Sequence, residues 1–177
     1  MIISTMRGYI AQDVKVKEIM TVNGEKFYSV PVSFARVRIP LLISEYLWNP
    51  SICGICDVRG YLTNATPKHH TYFRVVDIRC GVEMPLTNEM LITGTIANKK
   101  PYLIDEQGRE TQEFIVSYVL PGVWRDMRVT VVAKDSAARF FHNADIKDPV
   151  KNLVCYLKRR EGKYIVTLSK RSYRQED

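Results

Sequence analysis

The sequence predicts an all-β protein made of two tandem copies of one small five-stranded barrel. Three observations predict this class: the chain repeats itself, its apolar segments are rich in strand-forming residues, and glycine-containing turn signals separate those segments. The length of 177 residues suits one ordinary domain or two small ones, and it allows a core that needs no disulfide or metal support.

The internal repeat emerges when the two halves of the chain are aligned. Ser33-Phe34 falls in register with Ser117-Tyr118 at an offset of 84 residues. Three further pairs of segments match in the same order. They are residues 7–10 with 93–96; Gly60–Leu62 with Cys155–Leu157, at an offset of 95; and Tyr72–Arg79 with Tyr164–Arg171, at an offset of 92. Each copy is therefore expected to fold as one unit with the same order of parts.

The parts of the second copy are mostly strands. Five segments rich in Val, Ile, Thr and Tyr predict them: 90–97, 112–120, 127–133, 151–160 and 163–171. Residues 134–144 predict a short helix between the third and fourth strands, with Ala137, Phe140 and Phe141 on its apolar face. The first copy has only the stub 44–48 in that place.

Turn chemistry sets the hairpins and the boundary between the copies. Asn23-Gly24 and Gln107-Gly108 predict hairpin turns, because such turns need residues that tolerate positive φ, and residues 160–163 close the last hairpin in the same way. Residues 80–88 show no periodicity and predict the connection. The expected domains are residues 1–82 and 89–177, joined by a linker at 83–88.

Five strands with a helix between the third and fourth are the plan of the OB-fold, a small Greek-key barrel. The predicted fold is therefore two tandem five-stranded OB-fold barrels, each with a short helical segment between strands 3 and 4. A generic five-stranded sheet or an SH3-like barrel is the alternative architecture.

The second copy resembles the bacterial single-stranded-DNA-binding protein family and its relative, the primosomal replication protein. The similarity covers residues 89–173, and the first copy more faintly. The segments that carry it are the opening strand 90–97, the hairpin 101–119, residues 124–135 with Trp124, the helix 136–141 and the closing strands. The resemblance implies OB-fold barrels that bind single-stranded DNA, here two in one chain, as in some members.

Charge and hydropathy restrict the partners and the location. The formal net charge of +7 favours an acidic partner. No apolar run of about 18 residues is present, and Arg7 and Asp13 interrupt the segment where a signal peptide would be apolar. We therefore expect a cytoplasmic protein that contacts no membrane.

The cysteines are expected to be free thiols, as in a reducing cytosol. Cys53 and Cys56 form a CxxC pair within a predicted strand, where side chains three positions apart face opposite sides. A zinc site would need Cys80 with His69 or His70 as its second half. We interpret the cysteines as small buried residues instead, and we expect no metal and no cofactor.

No enzyme is expected. His69, His70 and His142 are not brought near a carboxylate, serine or cysteine by their spacing, and no Walker-type phosphate loop, HExxH or GxSxG occurs.

The basic residues concentrate near the end of the sequence. Between Lys151 and Arg174 eight cations accompany one acidic residue, Glu161. In an OB-fold the loop between strands 4 and 5 flanks the binding face, and this loop holds Lys158, Arg159, Arg160 and Lys163, with Arg171 further along the same stretch. A solvated hairpin whose charges only maintain solubility is the alternative.

Strand alternation supplies aromatic side chains for base stacking. If Leu153, Cys155 and Leu157 face the core, then Tyr156 and Lys158 face outward, and the first copy places its equivalents outward in the same way. The candidates outside the hairpin are Arg59, Tyr61, Tyr118, Trp124, Arg125, Arg128 and Tyr156, with Phe34 as an alternative to Tyr118. For each aromatic ring, packing in the core or in an interface is the competing interpretation.

The expected function is non-catalytic binding of single-stranded nucleic acid in DNA replication, recombination or repair. The expected partner is single-stranded DNA, with RNA left open, and a homodimer is a further expectation; no small-molecule substrate is expected. The alternatives are an adaptor protein of a replication or mobile-element complex and an RNA-binding OB protein.

Overall fold

The structure is a computed structural model, and it describes residues 3–20, 23–63, 71–119 and 127–173. The chain divides into two compact units, Ile3–Asn88 and Glu89–Asp177. Each unit contains a closed ring of five strands with one extra short strand at its side. The predicted fold class, two tandem OB-fold barrels, is confirmed.

The first unit has six strands: β1 (Ser4–Ile10), β2 (Lys17–Met20), β3 (Lys26–Phe34), β4 (Val37–Ser44), β5 (Gly54–Thr63) and β6 (Tyr72–Cys80). The ring runs β1-β5-β6-β4-β3 and closes where β1 meets β3. All pairs are antiparallel except β4 with β6. A parallel pair between the third and fifth ring strands, with β2 as an edge on β3, gives the strand order expected for this fold.

The second unit repeats this order: β7 (Met90–Lys99), β8 (Leu103–Ile104), β9 (Glu110–Tyr118), β10 (Met127–Lys134), helix α1 (Ser136–Asn143), β11 (Pro149–Arg160), β12 (Lys163–Leu168) and a 3-10 turn (Lys170–Tyr173). Its ring runs β7-β9-β10-β12-β11, and β10 pairs with β12 in parallel. The short strand β8 lies beside β9.

The helix between strands 3 and 4 is present in the second unit. Its buried residues are Ala137, Ala138 and Phe141, and the Phe141 ring stacks on Phe114 with centroids 4.2 Å apart. Phe140, predicted on the apolar face, is 48% exposed. In the first unit a turn takes the place of the helix. In this turn the amides of Leu47 and Trp48 both donate to the carbonyl of Ser44.

Each barrel has its own core, and the first barrel has a second cluster on its outer face. Phe34 and Phe73 pack edge to face inside the first barrel, with centroids 5.9 Å apart. The outer cluster consists of Phe27, Leu42 and Tyr72, with Ile19 of β2 packed against it. The extra strand β2 therefore helps to bury apolar side chains that lie outside the ring.

The strand registers test the internal repeat directly. Tyr9 pairs with Ser33 as Thr95 pairs with Ser117, and Ser4 pairs with Gly60 as Met90 pairs with Cys155. The match of the last strand is wrong by one residue: Leu41 pairs with Phe73 and Val131 with Val166, which makes the offset 93. A shift of one residue exchanges the two faces of a strand, so Tyr72 and Tyr164 are not equivalent.

The segment predicted as a linker is hydrogen-bonded to the first barrel. Thr87 donates its amide to the carbonyl of Arg7 and accepts from the Arg7 amide through Oγ1, at 2.9 and 2.7 Å. The Thr87 carbonyl accepts from the amide of Ala35, and the side-chain amide of Asn88 donates to the carbonyl of Ala35. Residues 87 and 88 therefore join the middle of β1 to the residue that follows β3, as part of the first unit.

The expectation of four free thiols is wrong for one pair. Cys56 and Cys80 lie directly opposite each other on β5 and β6 and form a disulfide. Residues 24 apart in sequence become neighbours because these two strands pair, which spacing alone does not reveal. Cys53 and Cys155 are free, and burial raises the pKa of the Cys155 thiol to about 12.

The described residues contain no group of three or more His, Cys, Asp or Glu side chains placed to hold a metal ion. His69 and His70 lie outside the described residues. Within the described ranges, no helix has the length and apolarity required to cross a membrane.

A glycine at the same place in both barrels explains part of the repeat. A Cβ on Gly94 would lie 2.3 Å from the carbonyl oxygen of Ser117, and one on Gly8 would lie 2.5 Å from Cγ2 of Val32. We expect Gly94→Ala to destabilise the second unit by about 1–3 kcal/mol, the usual range for overpacking. Thermal unfolding measures this, with Thr95→Ala on the exposed face as the control; equal melting temperatures for the two variants would contradict the close approach.

The disulfide should stabilise the first unit by restricting the unfolded chain. For a loop of this length the effect is about 3 kcal/mol. We expect a reductant to lower the unfolding temperature of the parent protein. The reductant should not change the unfolding temperature of the Cys56→Ala/Cys80→Ala double variant. If it also leaves the unfolding temperature of the parent protein unchanged, the disulfide adds no stability.

Candidate nucleic-acid interface

An OB-fold presents its oligonucleotide-binding surface on strands 2 and 3 and on the loops between strands 1 and 2 and between strands 4 and 5. In the second unit these strands are β9 and β10, and the second of these loops is the β11–β12 hairpin. The same parts of the first unit are β3 and β4.

The β11–β12 hairpin has a tight two-residue turn. Glu161 and Gly162 have φ of 50° and 78°, the positive values that a type I′ turn needs at both central positions. Arg160 pairs with Lys163 across the turn, Lys158 with Ile165, and Tyr156 with Thr167. The turn therefore fixes which side chains of β11 share a face with those of β12.

The predicted alternation along β11 is present in the structure. Leu153, Cys155 and Leu157 are buried, Tyr156 is half-buried and Lys158 is exposed. Tyr156 and Lys158 therefore lie on the outer surface of the barrel, with Arg160 two residues further along the same face.

Arg128 of β10 joins this surface. The parallel pairing of Val131 with Val166 makes β10 and β12 neighbours, and Arg128 and Lys163 each lie three residues before that pair on their own strand. Both are exposed, and both lie on the outer side by strand alternation. We call this surface the basic face, defined by Arg128, Tyr156, Lys158, Arg160 and Lys163.

The basic face keeps most of its positive charge. Nε of Arg160 lies 3.8 Å from Oε1 of Glu161, with both side chains well exposed, and such a pair contributes little net stability. Nζ of Lys158 lies 4.9 Å from the ring centroid of Tyr156. The face thus combines cations for phosphate oxygens with a tyrosine ring beside a cation, the two ingredients of single-strand binding.

Two candidates lie elsewhere. Arg159 points to the opposite side of the hairpin, where its guanidinium lies 5.6 Å from the ring centroid of Tyr164; burial raises the pKa of Tyr164, and Arg159 opposes that rise. Tyr118 is 6% exposed, and the alternative Phe34 is 3% exposed. The expectation that either ring lies on the outer surface is wrong, because Ser117 and Ser33 take the outward positions on these strands.

Three candidates cannot be placed on this surface. Trp124 and Arg125 lie outside the described residues. Arg171 belongs to the 3-10 turn Lys170–Tyr173, and the description of this residue covers its backbone alone. Their roles stay predictions.

The first barrel positions Tyr61 as the second positions Tyr156. Tyr61 pairs with Arg74, and Arg59 is exposed and pairs with Asp77. The Arg74 guanidinium lies 4.8 Å from the ring centroid of Phe27, a member of the outer cluster. Arg74 is not among the residues predicted from the sequence, and the offset of 92 aligns it with Val166, which is buried.

Arg38 is a second residue that the sequence comparison missed. It pairs with Ser33 on β4 and β3, as Arg128 pairs with Ser117 on β10 and β9. Aligning the third strands at an offset of 90 would have revealed it.

Solved structures with the same fold are known. The wild-type single-stranded DNA-binding protein of Thermus aquaticus matches with a TM-score of 0.69 and 10% identity, over 95% of this chain and 89% of that one. A deletion mutant of the Thermus aquaticus protein matches with a TM-score of 0.67 and 10% identity, over 95% and 90% of the two chains. The SSB domain of a Synechococcus sp. protein covers 50% of this chain and 97% of its own, with a TM-score of 0.41 and 16% identity.

The two Thermus aquaticus similarities establish the class of protein at the level of fold: tandem OB-fold barrels, as in the single-stranded-DNA-binding protein of Thermus aquaticus. The resemblance inferred from the sequence is confirmed at that level. No protein-family model matches the sequence, and no curated protein matches it either.

Proposed function

We propose that this chain binds single-stranded nucleic acid, with DNA as the expected partner, and that it does so without catalysis. The observation that carries the proposal is the basic face, where four cations lie on the outer side of three neighbouring strands and one of them, Lys158, lies 4.9 Å from the ring centroid of Tyr156. A phosphate chain that follows these cations can place a base on the Tyr156 ring, and stacking tolerates any base because every base has a π-face.

The setting of this activity is also part of the proposal. We propose that the chain coats or transfers exposed strands in replication, recombination or repair in the cytoplasm. The basic face supports the binding that this role requires, and the fold shared with the single-stranded DNA-binding protein of Thermus aquaticus supports single-stranded DNA as the partner. Competition between matched DNA and RNA oligonucleotides tests the choice of partner; preference for RNA would favour the RNA-binding alternative.

Salt dependence tests the basic face. Each phosphate contact releases condensed counterion, so log affinity should fall with log salt at a slope of about −0.7 per contact on a single strand. Replacing Lys158, Arg160 and Lys163 with glutamine should reduce the magnitude of the slope by up to about 2.1, three contacts at that rate. Labelled oligo-dT titrated at several salt concentrations measures it.

The hairpin contains its own matched control. Lys158 and Arg159 are neighbours with the same charge, but they lie on opposite faces of β11. Lys158→Gln should lower the slope by about 0.7 and Arg159→Gln by clearly less. If all these variants keep the salt dependence of the parent, the basic face is only a solvated surface, and the adaptor function becomes the better hypothesis.

The outward tyrosines should contribute by stacking. Tyr156→Ala and Tyr61→Ala should each weaken binding of oligo-dT by about 5- to 150-fold, the equivalent of about 1–3 kcal/mol per base. Trp124→Ala belongs in the same series. Tyr46, which is 91% exposed in the turn after β4, provides the control variant Tyr46→Ala. If the Tyr61 and Tyr156 variants bind oligo-dT as tightly as Tyr46→Ala does, stacking at these two rings is excluded.

A further inference from the structure

The first barrel has an exposed tyrosine that none of the preceding arguments uses. Among the residues whose side chains the structure describes, three aromatic residues are exposed: Tyr9, Tyr46 and Phe140. Tyr46 lies in a turn and Phe140 on a helix, whereas Tyr9 lies on a ring strand. It is 48% exposed, so about half of the residue's surface is accessible to solvent.

Tyr9 lies at the point where the first barrel closes. It pairs with Ile55 of β5 on one side and is the residue of β1 that pairs with Ser33 of β3 on the other. The preceding residue, Gly8, allows close contact with Val32 and Phe34. The backbone beneath the ring is therefore held from both sides, which reduces the conformational entropy lost when a ligand binds.

A row of three outward side chains crosses the strands at this level. Tyr9 pairs with Ser33, and Ser33 pairs with Arg38. Neighbouring strands are about 4.8 Å apart, so the row from Tyr9 to Arg38 spans roughly 10 Å, two such spacings. A ring, a hydroxyl and a guanidinium thus follow one another on a single face.

The charge around this row favours an anion. Arg36 and Arg38 are both exposed. The acidic residue one row away, Asp57, is already paired with Arg7, whose Nε lies 2.7 Å from Oδ1 of Asp57.

The second barrel shows what this row adds. Its residues at the same register positions are Thr95, Ser117 and Arg128, so the serine and the arginine recur while the ring does not. Serine and arginine side chains both donate hydrogen bonds to phosphate oxygens, and a tyrosine ring stacks on a base. The first barrel alone has both parts on one row.

We propose that Tyr9, Ser33 and Arg38 form a nucleotide subsite on the first barrel, in which the base stacks on Tyr9 and the adjoining phosphate binds Arg38 and Ser33. The proposal rests on single-stranded nucleic acid being the ligand. It extends the binding surface to the first ring strand, away from Tyr61 and Arg59, and it makes the two barrels unequal in the contacts they offer.

The test compares variants of the full chain for binding to labelled oligo-dT. Tyr9→Thr, which installs the residue of the second barrel, should weaken binding by about 5- to 150-fold, as expected for the loss of one stacked base. Tyr9→Phe should bind like the parent because the ring is retained, and Tyr46→Thr is the matched control. Thr95→Tyr completes the row in the second barrel and should tighten binding.

A second measurement separates contact from an indirect effect. Irradiation of a complex with a bromodeoxyuridine oligonucleotide should cross-link Tyr9, which mass spectrometry of the digested protein identifies. If the hairpin variants lose salt dependence while Tyr9→Thr binds like Tyr46→Thr and no cross-link forms at Tyr9, the subsite is refuted and the basic face stands. If the parent protein binds no oligonucleotide, both proposals fall.

Discussion

The parallel pairing of the third and fifth ring strands determines the rest of each barrel. Leu41 and Leu42 pair with Phe73 and Arg74 in the first unit, and Val131 and Val132 with Val166 and Thr167 in the second. Because side chains alternate along a strand, this contact fixes which residue of each pair points inside the ring and which lies on its outer side. Arg74 and Thr167 lie on the outer side, where Thr167 is itself buried, and the tyrosines opposite them, Tyr61 and Tyr156, lie on the same side.

The sequence predicts those features that depend on local pattern. Strand-forming segments and glycine turns are each encoded within a few residues, and the repeated order of parts follows from comparing these local patterns along the chain. The outward positions of Tyr61, Tyr156 and Lys158 follow from alternation within one strand, beside buried residues such as Leu157. No contact between distant segments is needed for these inferences.

Features that depend on pairing between distant segments were not predicted. The shift between Arg59 and Gly60 in the pairing of β5 with β6 changes the register of the last strand, and composition gives no signal for it. The same pairing brings Cys56 opposite Cys80. The lack of periodicity around Thr87 predicts a linker, whereas the hydrogen bonds of Thr87 to Arg7 and Ala35 join it to the first barrel, and such bonds do not require an apolar pattern.

The comparison of the two barrels separates what folding requires from what it leaves open. Gly8 and Gly94 recur because a side chain there would collide with the second ring strand. No such requirement applies to Arg38 and Arg128, which are exposed and at which substitutions usually change stability by less than about 0.5 kcal/mol. Their identical placement opposite Ser33 and Ser117 agrees with the proposed contact with an anionic ligand. The tyrosine beside this pair in one barrel and the threonine in the other then distinguish two surfaces on a common backbone.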